Sequence, residues 1–277
     1  MAHTIRPLKT LEDCQQVVQL EKQIWRYTDS EDVVPAAILL VSAKRGGILL
    51  GAFDPVAPGR MVGFVYSLAA FRDGRPAQWS HMLGVVPEAR DSGLGAELKF
   101  HQRRAALDAG IALIEWTFDP MQALNAHFNF SKLGVVAEEY VENLYGDSSS
   151  VLHRGTPTDR LIVQWDLDAA HVVRRLEGGA LVMRDAGALE APAVLRVGEA
   201  LKPSSVDTSC SERRIALEIP VRFSEIQAGD PGLALAWRLA SRCAFTTYFA
   251  RGYRAVEFFL EREKGRGKYL LAIPAAT

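Results

Sequence analysis

The residues best suited to chemistry lie in a short polar turn, RDSGLG at positions 90–95, which separates an apolar run from a helix-like segment. A helix N-terminus presents unpaired N–H groups and the positive end of the helix dipole, so it binds anions where side chains leave room. Gly93 and Gly95 carry no side chain, and Arg90 and Ser92 add hydrogen-bond donors. The turn therefore predicts a phosphate-binding site at the start of a helix.

Two familiar phosphate-binding patterns do not match this turn. A P-loop has Lys and then Ser or Thr after its last glycine, whereas Ala96 and Glu97 follow Gly95. The dinucleotide fingerprint needs a further glycine at the position that Leu98 occupies. The turn fits instead the pattern Arg/Gln-x-x-Gly-x-Gly/Ala.

Two side chains near this turn are candidates for proton transfer. In the apolar run 79–86, strand alternation places His81 and Leu83 on one face, and a histidine has a pKa suited to a general base. Glu115, in the apolar run 111–119, is the second candidate. Other roles stay open, since His81 could be a hydrogen-bonded core residue and Glu115 could face solvent or pair with an arginine.

The elements that must position these residues follow an α/β order: strand, helix, helix, strands, helix, strand, helix, strands. Thr10, with Asp13 three residues later, is a candidate cap for the first helix. This order predicts a mixed sheet covered by helices. The predicted segments are strands at 3–8, 47–53, 59–71, 79–86 and 111–119, a helix beginning at Pro35, one from about 94 to Gly110, one over 122–133 that ends at Gly134, and two strands in 134–146 and 159–167.

Residues 1–168 resemble the GNAT acetyltransferase superfamily. The resemblance rests on MLGVVPEARDSGLGAEL at 82–98, LIEWTFD at 113–119 and LNAHFNFSKLGVV at 124–136, in the family's order. It implies a GNAT-like mixed twisted sheet flanked by helices, and acetyl-CoA as co-substrate. It also implies that backbone N–H groups of the turn hold the CoA pyrophosphate, namely those of Arg90, Asp91, Ser92, Gly93, Leu94, Gly95 and Ala96.

The resemblance also assigns the rest of the CoA contacts. The pantetheine arm is expected to pair with backbone groups near Leu83 and Val85, and an amine is expected to attack the thioester directly, with a backbone N–H on the same strand polarising the acyl oxygen. Asn125 and Asn129 lie four apart on the predicted helix, hence on one face, and could bind the pantetheine amides. The family's asparagine corresponds to Ala123, however, so this chain departs from the pattern there.

The general acid of the family is missing. The resemblance implies a tyrosine four residues before Gly134, where this chain has Phe130. Water, Tyr140 or Tyr145 could substitute. The sequence therefore predicts an acetyl-CoA-dependent N-acetyltransferase acting on an unidentified amine, and the alternative is an acyl-CoA-binding sensor or scaffold without turnover.

The C-terminal hundred residues lie outside the resemblance. We expect domains at 1–168 and 178–277, the second a smaller α/β domain of unknown role. Its strand, glycine-containing turn, long helix and strand parallel the first domain, with Gly229 and Gly232 in place of the turn glycines and Pro231 removing an N–H. It could be a degenerate half-GNAT or an unrelated α/β cap. Side chains of the long helix could shape the acceptor pocket or a homodimer interface, or instead form core with solvated arginines; they are Trp237, Arg238, Arg242, Phe245, Tyr248 and Phe249.

Composition narrows the classes of partner that we expect for this chain. The chain has 277 residues, of which 48% are apolar, and a net charge of −1, so a packed core is expected and nothing favours nucleic acid or an anionic membrane. No apolar run has the length of a membrane span, and the first residues lack a signal peptide's apolar segment. Three scattered cysteines without CxxC spacing predict a cytoplasmic protein without a metal site.

Overall fold

The structure is a computed structural model that describes residues 3–26, 33–90, 92–146, 156–177 and 190–274. It contains two compact units, Met1–Trp116 and Thr117–Thr277. The expected boundary between 168 and 178 differs from this division, and the expected domains stay predictions. The α/β class is confirmed, because each unit combines a mixed sheet with helices.

The first unit contains a five-stranded sheet in the order β1-β2-β3-β4-β5. Neighbouring strands from β1 to β4 are antiparallel, and β5 runs parallel to β4. The strands are β1 (Thr4–Pro7), β2 (Ile48–Phe53), β3 (Met61–Arg72), β4 (Arg75–Val85) and β5 (Leu113–Phe118), and the helices are α1 (Leu11–Trp25), α2 (Ala36–Lys44) and α3 (Leu94–Asp108).

Local sequence explains how these helices begin. Thr10 caps α1 as predicted: its hydroxyl accepts from the Asp13 N–H at 3.1 Å, and the Asp13 carboxylate accepts from the Thr10 N–H at 3.2 Å. Pro35 precedes α2, where its fixed φ suits the entry to a helix. The core of this unit lies between helices and sheet, around Phe64 and Leu98, neither of which is exposed.

The second unit contains a six-stranded sheet in the order β7-β6-β10-β11-β9-β8. Its strand pairs are antiparallel except β8 with β9. The strands are β6 (Val136–Val141), β7 (Arg160–Asp166), β8 (Ala193–Leu195), β9 (Arg214–Pro220), β10 (Arg254–Glu261) and β11 (Arg266–Ala272), and the helices are α4 (Ala123–Ala126, continued by a π-helix over His127–Leu133), α5 (Ala170–Glu177), α6 (Phe223–Gly229) and α7 (Pro231–Phe249).

The helix predicted over 122–133 changes its winding. After Ala126 the chain continues as a π-helix, whose i→i+5 bonding breaks the α-helical spacing. Asn125 is exposed and Asn129 is buried. The expectation that these two asparagines share a helix face is therefore wrong.

The glycine parallel in the C-terminal region is also wrong. β9 leads into α6, which ends at Gly229, and Gly232 lies in the first turn of α7, so the two glycines flank a helix–helix junction. The aromatic side chains of α7 that we considered for an interface are mostly core, since Trp237, Phe245 and Tyr248 have no exposed surface. Whether the region is a half-GNAT, and whether the chain dimerises, stay predictions.

Among the helices of the described residues, none has the length and apolar character needed to span a membrane.

Candidate functional site

The N-cap residue of α3 is a glycine, which has no side chain to cap the helix. After β4 the chain makes a short 3-10 turn over Pro87–Ala89 and enters α3 through Gly93, whose φ of 89° lies in the left-handed region. That conformation costs a residue with a Cβ about 1 kcal/mol or more, so the backbone itself calls for glycine here. Gly93 has no side chain that could accept from the first N–H groups of the helix. The Leu94 N–H donates to the Ser92 hydroxyl at 3.4 Å, and the Ala96 N–H donates to the Gly93 carbonyl at 2.9 Å. The N–H groups that remain and the positive end of the helix dipole are the part of the turn for which the sequence predicts anion binding, and that binding stays a prediction.

The fold requires only one of the two turn glycines, Gly93. A Cβ built on Gly93 would meet no heavy atom within 4 Å, and one built on Gly95 would meet only the Leu83 Cδ2 atom, at 3.7 Å, an ordinary contact. Gly95 is not among the glycines with positive φ. Neither crowding nor backbone conformation therefore requires glycine at 95. A close approach of the predicted pyrophosphate would explain a glycine at this position.

Arg90 and Ser92 are partly engaged within the turn. The Arg90 Nε donates to the Val85 carbonyl at 3.3 Å. The Ser92 hydroxyl donates to the Ala89 carbonyl at 2.8 Å and accepts from the Leu94 N–H at 3.4 Å, so its proton serves the turn. Asp91 lies outside the described residues. Donors for a bound anion would come mainly from the backbone and from the Arg90 guanidinium.

The backbone of β4 presents an open edge before this turn. Just past the strand, the Val86 N–H donates to the Val62 carbonyl at 3.0 Å. In an antiparallel pair every second residue bonds with the partner strand, so Gly84 also turns toward β3. Leu83 and Val85 then direct their N–H and C=O groups to the opposite edge, where the Val85 carbonyl already accepts from the Arg90 Nε at 3.3 Å. These are the two residues that the resemblance implies for pairing with the pantetheine arm.

A β-bulge lies where β4 and β5 diverge. The register between β3 and β4 shifts between Tyr66 and Ser67, which leaves His81 as the extra residue. The parallel pairing of β4 with β5 covers only Gln78 and Trp79 in the described part of the chain. The bulged residue His81 thus lies two residues beyond Trp79, the last β4 residue that pairs with β5.

His81 has an environment that suits a base. Its imidazole is exposed and lies edge-on to the Tyr66 ring, with 6.0 Å between centroids. Desolvation by neighbouring groups lowers the pKa of His81 below its ordinary value of 6.5. The ring is consequently neutral near pH 7 and able to accept a proton.

Glu115, the other candidate base, is held by an arginine. Its carboxylate is almost fully buried and accepts from the Arg72 Nη1 at 3.0 Å. This is one of the alternatives that the sequence left open. An ion-paired carboxylate is a weaker proton acceptor than a free one, and a catalytic role for Glu115 stays a prediction.

Sequence reasoning missed Lys99, which is only 4% exposed. Its Nζ donates to the Ser80 hydroxyl at 2.9 Å and to the Gln102 Oε1 at 3.1 Å, and lies 3.7 Å from the centroid of the Trp116 ring. Burial lowers the pKa of Lys99 from 10.5 to about 7. The available signal was a lysine that directly follows Leu98 on the buried stripe of α3.

The second unit holds the remaining predicted residues. Phe130 is fully buried and packs edge-on against Phe118 and Tyr269, with centroids 6.2 Å and 5.6 Å away. The Tyr140 hydroxyl donates to the Asp159 carboxylate at 2.7 Å. Burial is the larger cause, and the negative charge of Asp159 the second, of a raised pKa of Tyr140. The Tyr145 hydroxyl lies 3.1 Å from the Thr117 hydroxyl, and Tyr145 is exposed. Tyr145 is therefore the less constrained of the two tyrosines.

No protein-family model and no curated protein matches this chain. Solved structures do match it. The ribosomal-protein-S18-alanine N-acetyltransferase of Escherichia coli is 16% identical, over 60% of this chain and 94% of that one, with a TM-score of 0.47. A GNAT-family acetyltransferase of Streptococcus pneumoniae is 18% identical, over 58% and 98%, with a TM-score of 0.47. An N-acetyltransferase of Thermoplasma acidophilum in complex with coenzyme A is 15% identical, over 60% and 99%, with a TM-score of 0.40. All three of these solved structures are named as acetyltransferases, and one of them as a member of the GNAT family.

Proposed function

We propose that this chain is an acetyl-CoA-dependent N-acyltransferase that moves an acetyl group from CoA to an unidentified amine. One observation carries the proposal: the N-terminus of α3, with a glycine as its N-cap and bare glycines at 93 and 95, directly follows a strand whose residues 83 and 85 turn their backbone groups to an open edge. A CoA thioester needs both features, because its pyrophosphate is an anion and its pantetheine arm carries two amides.

The chemistry assigns a role to each group of the first unit. The N–H groups of Gly93 and Gly95 and the Arg90 guanidinium would hold the pyrophosphate, because the Leu94 and Ala96 N–H groups already donate within the turn. The edge at Leu83 and Val85 would pair with the arm, and a β4 N–H would polarise the thioester oxygen. The amine nitrogen would attack the carbonyl carbon, the C–S bond would break with its electron pair going to sulfur, and His81 would accept the amine proton.

The second candidate function is an acyl-CoA-binding sensor or scaffold. The buried Phe130 favours it, because no hydroxyl stands at the position where the family resemblance implies a general acid. The neutral, exposed imidazole of His81 favours turnover instead, because attack requires a proton acceptor. Incubation of acetyl-CoA with a panel of small amines, amino acids and lysine peptides, with detection of released CoA thiol, distinguishes the two.

The variant Gly95→Ala tests the cradle. The chain has room for the added methyl group, and alanine is the better helix former by up to about 1 kcal/mol, so the free energy of unfolding should hold or rise. The same methyl group would occupy the surface that the pyrophosphate approaches. We expect calorimetry to give at least a tenfold weaker affinity for acetyl-CoA, equivalent to about 1.4 kcal/mol.

Gly229→Ala is the matched control. Gly229 also lies in a helix, and a Cβ there meets nothing within 4 Å, so this variant should bind like the natural protein. A Gly93 variant is less informative, because its positive φ would mix strain with lost binding. Equal affinity of Gly95→Ala and the natural protein, or no binding by either, would contradict the proposed site.

A further inference from the structure

Lys99 is a buried lysine whose bonding partners are uncharged. Its contacts are the Ser80 hydroxyl, the Gln102 amide oxygen and the Trp116 ring. Among the described residues, no carboxylate lies within ion-pairing distance of its Nζ. Burying an unpaired cation costs free energy, so this lysine is unfavourable for the fold. An apolar residue of similar length would serve the core better, which indicates that the amino group serves another purpose.

The position of the amino group indicates that purpose. Trp79 and Glu115 form the last β4–β5 pair, and Ser80 and Trp116 are the next residues on the two strands. Lys99 contacts both, so its Nζ bridges the strands at the point where they diverge. The open edge of β4 and the bulge at His81 begin immediately beyond this point. If the pantetheine arm pairs with that edge and the pyrophosphate binds at α3, the sulfur end of CoA points back toward Ser80.

We propose that Lys99 is a positioning residue of the transfer reaction, whose ammonium group at the divergence of β4 and β5 stabilises the negative charge that the leaving CoA sulfur acquires. This inference rests on the proposed function. When the amine attacks and the C–S bond breaks, the electron pair remains on sulfur as a thiolate. A cation in a desolvated site stabilises this thiolate by electrostatic attraction and does not have to donate a proton. The attraction would act across the Ser80 hydroxyl, which lies between the two groups in this proposal. The lowered pKa of Lys99 is consistent with this arrangement. It means that the ammonium form lacks a stabilising partner before CoA binds, and a thiolate would be such a partner.

The test measures the thiol of bound CoA, so it does not require turnover. Ultraviolet absorbance of the thiolate is followed as a function of pH for free CoA and for CoA bound to the natural protein. A cation within a few ångströms should lower the thiol pKa by about one unit or more, which is a tenfold larger thiolate fraction below that pKa. In Lys99→Met this shift should disappear, whereas Lys22→Met, a change at an exposed lysine of α1, should keep it.

Two further measurements distinguish a positioning role of Lys99 from a purely structural one. With an amine acceptor, Lys99→Met should lower kcat about tenfold while the KM for acetyl-CoA stays within twofold. Its unfolding midpoint should stay equal or rise, because an unpaired buried charge is replaced by an apolar chain. A lysine that only supports the core would give the opposite result, a lower midpoint with the bound thiol unchanged.

Each outcome is decisive. Absence of CoA binding contradicts the proposed function and this inference together. Binding with an unshifted thiol, or a shift that survives in Lys99→Met, overturns the inference alone. If Lys99→Met does not fold, Ser80→Ala replaces it, since loss of the hydroxyl weakens the charged form of Lys99 and should shrink the shift. An unchanged shift in Ser80→Ala would then overturn the role of Lys99.

Discussion

His81 meets the requirements of a base because of its place in β4 rather than its residue type alone. In a regular strand it would take part in the ladder with β3, but as the extra residue of a bulge it is exposed next to the open edge. Desolvation keeps the imidazole neutral near pH 7 without a carboxylate partner. The proposed role of His81, acceptance of the amine proton, rests on this placement.

Replacement of His81 by glutamine should lower kcat about a hundredfold or more, the usual contribution of a general base. The pKa of His81 lies below 6.5, so the kcat of the natural protein should fall as the pH drops through that lowered value and protonates the ring. The variant should lose this acidic limb. The measurement is a pH–rate profile from pH 5 to 8, with His101→Gln, at an exposed histidine of α3, as the control. An unchanged limb in His81→Gln would assign the base elsewhere, with Glu115 the next candidate.

Sequence reasoning predicted residues whose role depends on local pattern and missed those that depend on tertiary packing. Gly93 and Gly95 could be singled out because a strand, a turn and a helix adjoin in the chain. The partners of Lys99 lie 19 residues back and 17 residues forward, on β4 and β5, so the sequence gives no measure of their proximity. Burial of Glu115 against Arg72, 43 residues away, could be stated only as an alternative for the same reason.

At the scale of elements, two helix starts differ in their N-cap residue, and this difference bears on where the proposed anion site can lie. α3 begins at Gly93 without a side-chain cap. α7 begins at Asp230, whose Oδ1 accepts from the Leu233 N–H at 2.9 Å, and Pro231 follows. The carboxylate already occupies the positive end of that helix. The composition of the two segments is similar, but Gly93 places no carboxylate at the start of α3, so the proposed anion site is compatible with α3 and not with α7.

Asp230→Ala should accordingly affect stability and leave acetyl-CoA binding unchanged. Loss of a capping side chain costs about 1 kcal/mol of unfolding free energy, measured by denaturant titration. Calorimetry should give the affinity of the natural protein. A drop in affinity at constant stability would indicate that the start of α7, and not of α3, contributes to the CoA site.

The sequence predicted most elements because strand alternation, caps and glycine stops are local signals. It could not predict the bulge in β4, since a bulge is a register between two strands, 66–67 facing 80–82. Nor could it predict the π-helix after α4, where the change from i→i+4 to i→i+5 bonding moved Asn129 into the core and left Asn125 exposed. Both irregularities change the face of the element on which nearby residues lie. An argument from strand or helix periodicity assigns such residues to the wrong face.

At the scale of the whole molecule, buried ion pairs join distant parts of the second unit. Arg238, 1% exposed, donates through both terminal nitrogens to the Asp119 carboxylate at 2.6 Å and 2.9 Å. Burial opposes the charged form of Asp119, but the Arg238 guanidinium outweighs it and lowers the pKa of this carboxyl. Arg242 pairs in the same way with Asp159, at 2.8 Å. The arginines expected as solvated side chains thus connect α7 to residues before 168, on the other side of the expected domain boundary.

Arg238→Met tests which division of the chain is cooperative. Loss of one partner of a buried ion pair costs about 3–5 kcal/mol, because the remaining charge stays desolvated. Hydrogen exchange of the full chain should therefore accelerate wherever residues unfold together with α7. If the compact unit 117–277 is the cooperative one, peptides from β6 and β7 will exchange faster together with those from β10 and β11, while peptides from β2 to β4 keep their natural rates. If the predicted domains 1–168 and 178–277 are cooperative, β6 and β7 will keep their rates together with β2 to β4. Arg104→Met, which removes an exposed pair with Asp108 on α3, is the control and should change neither set of rates.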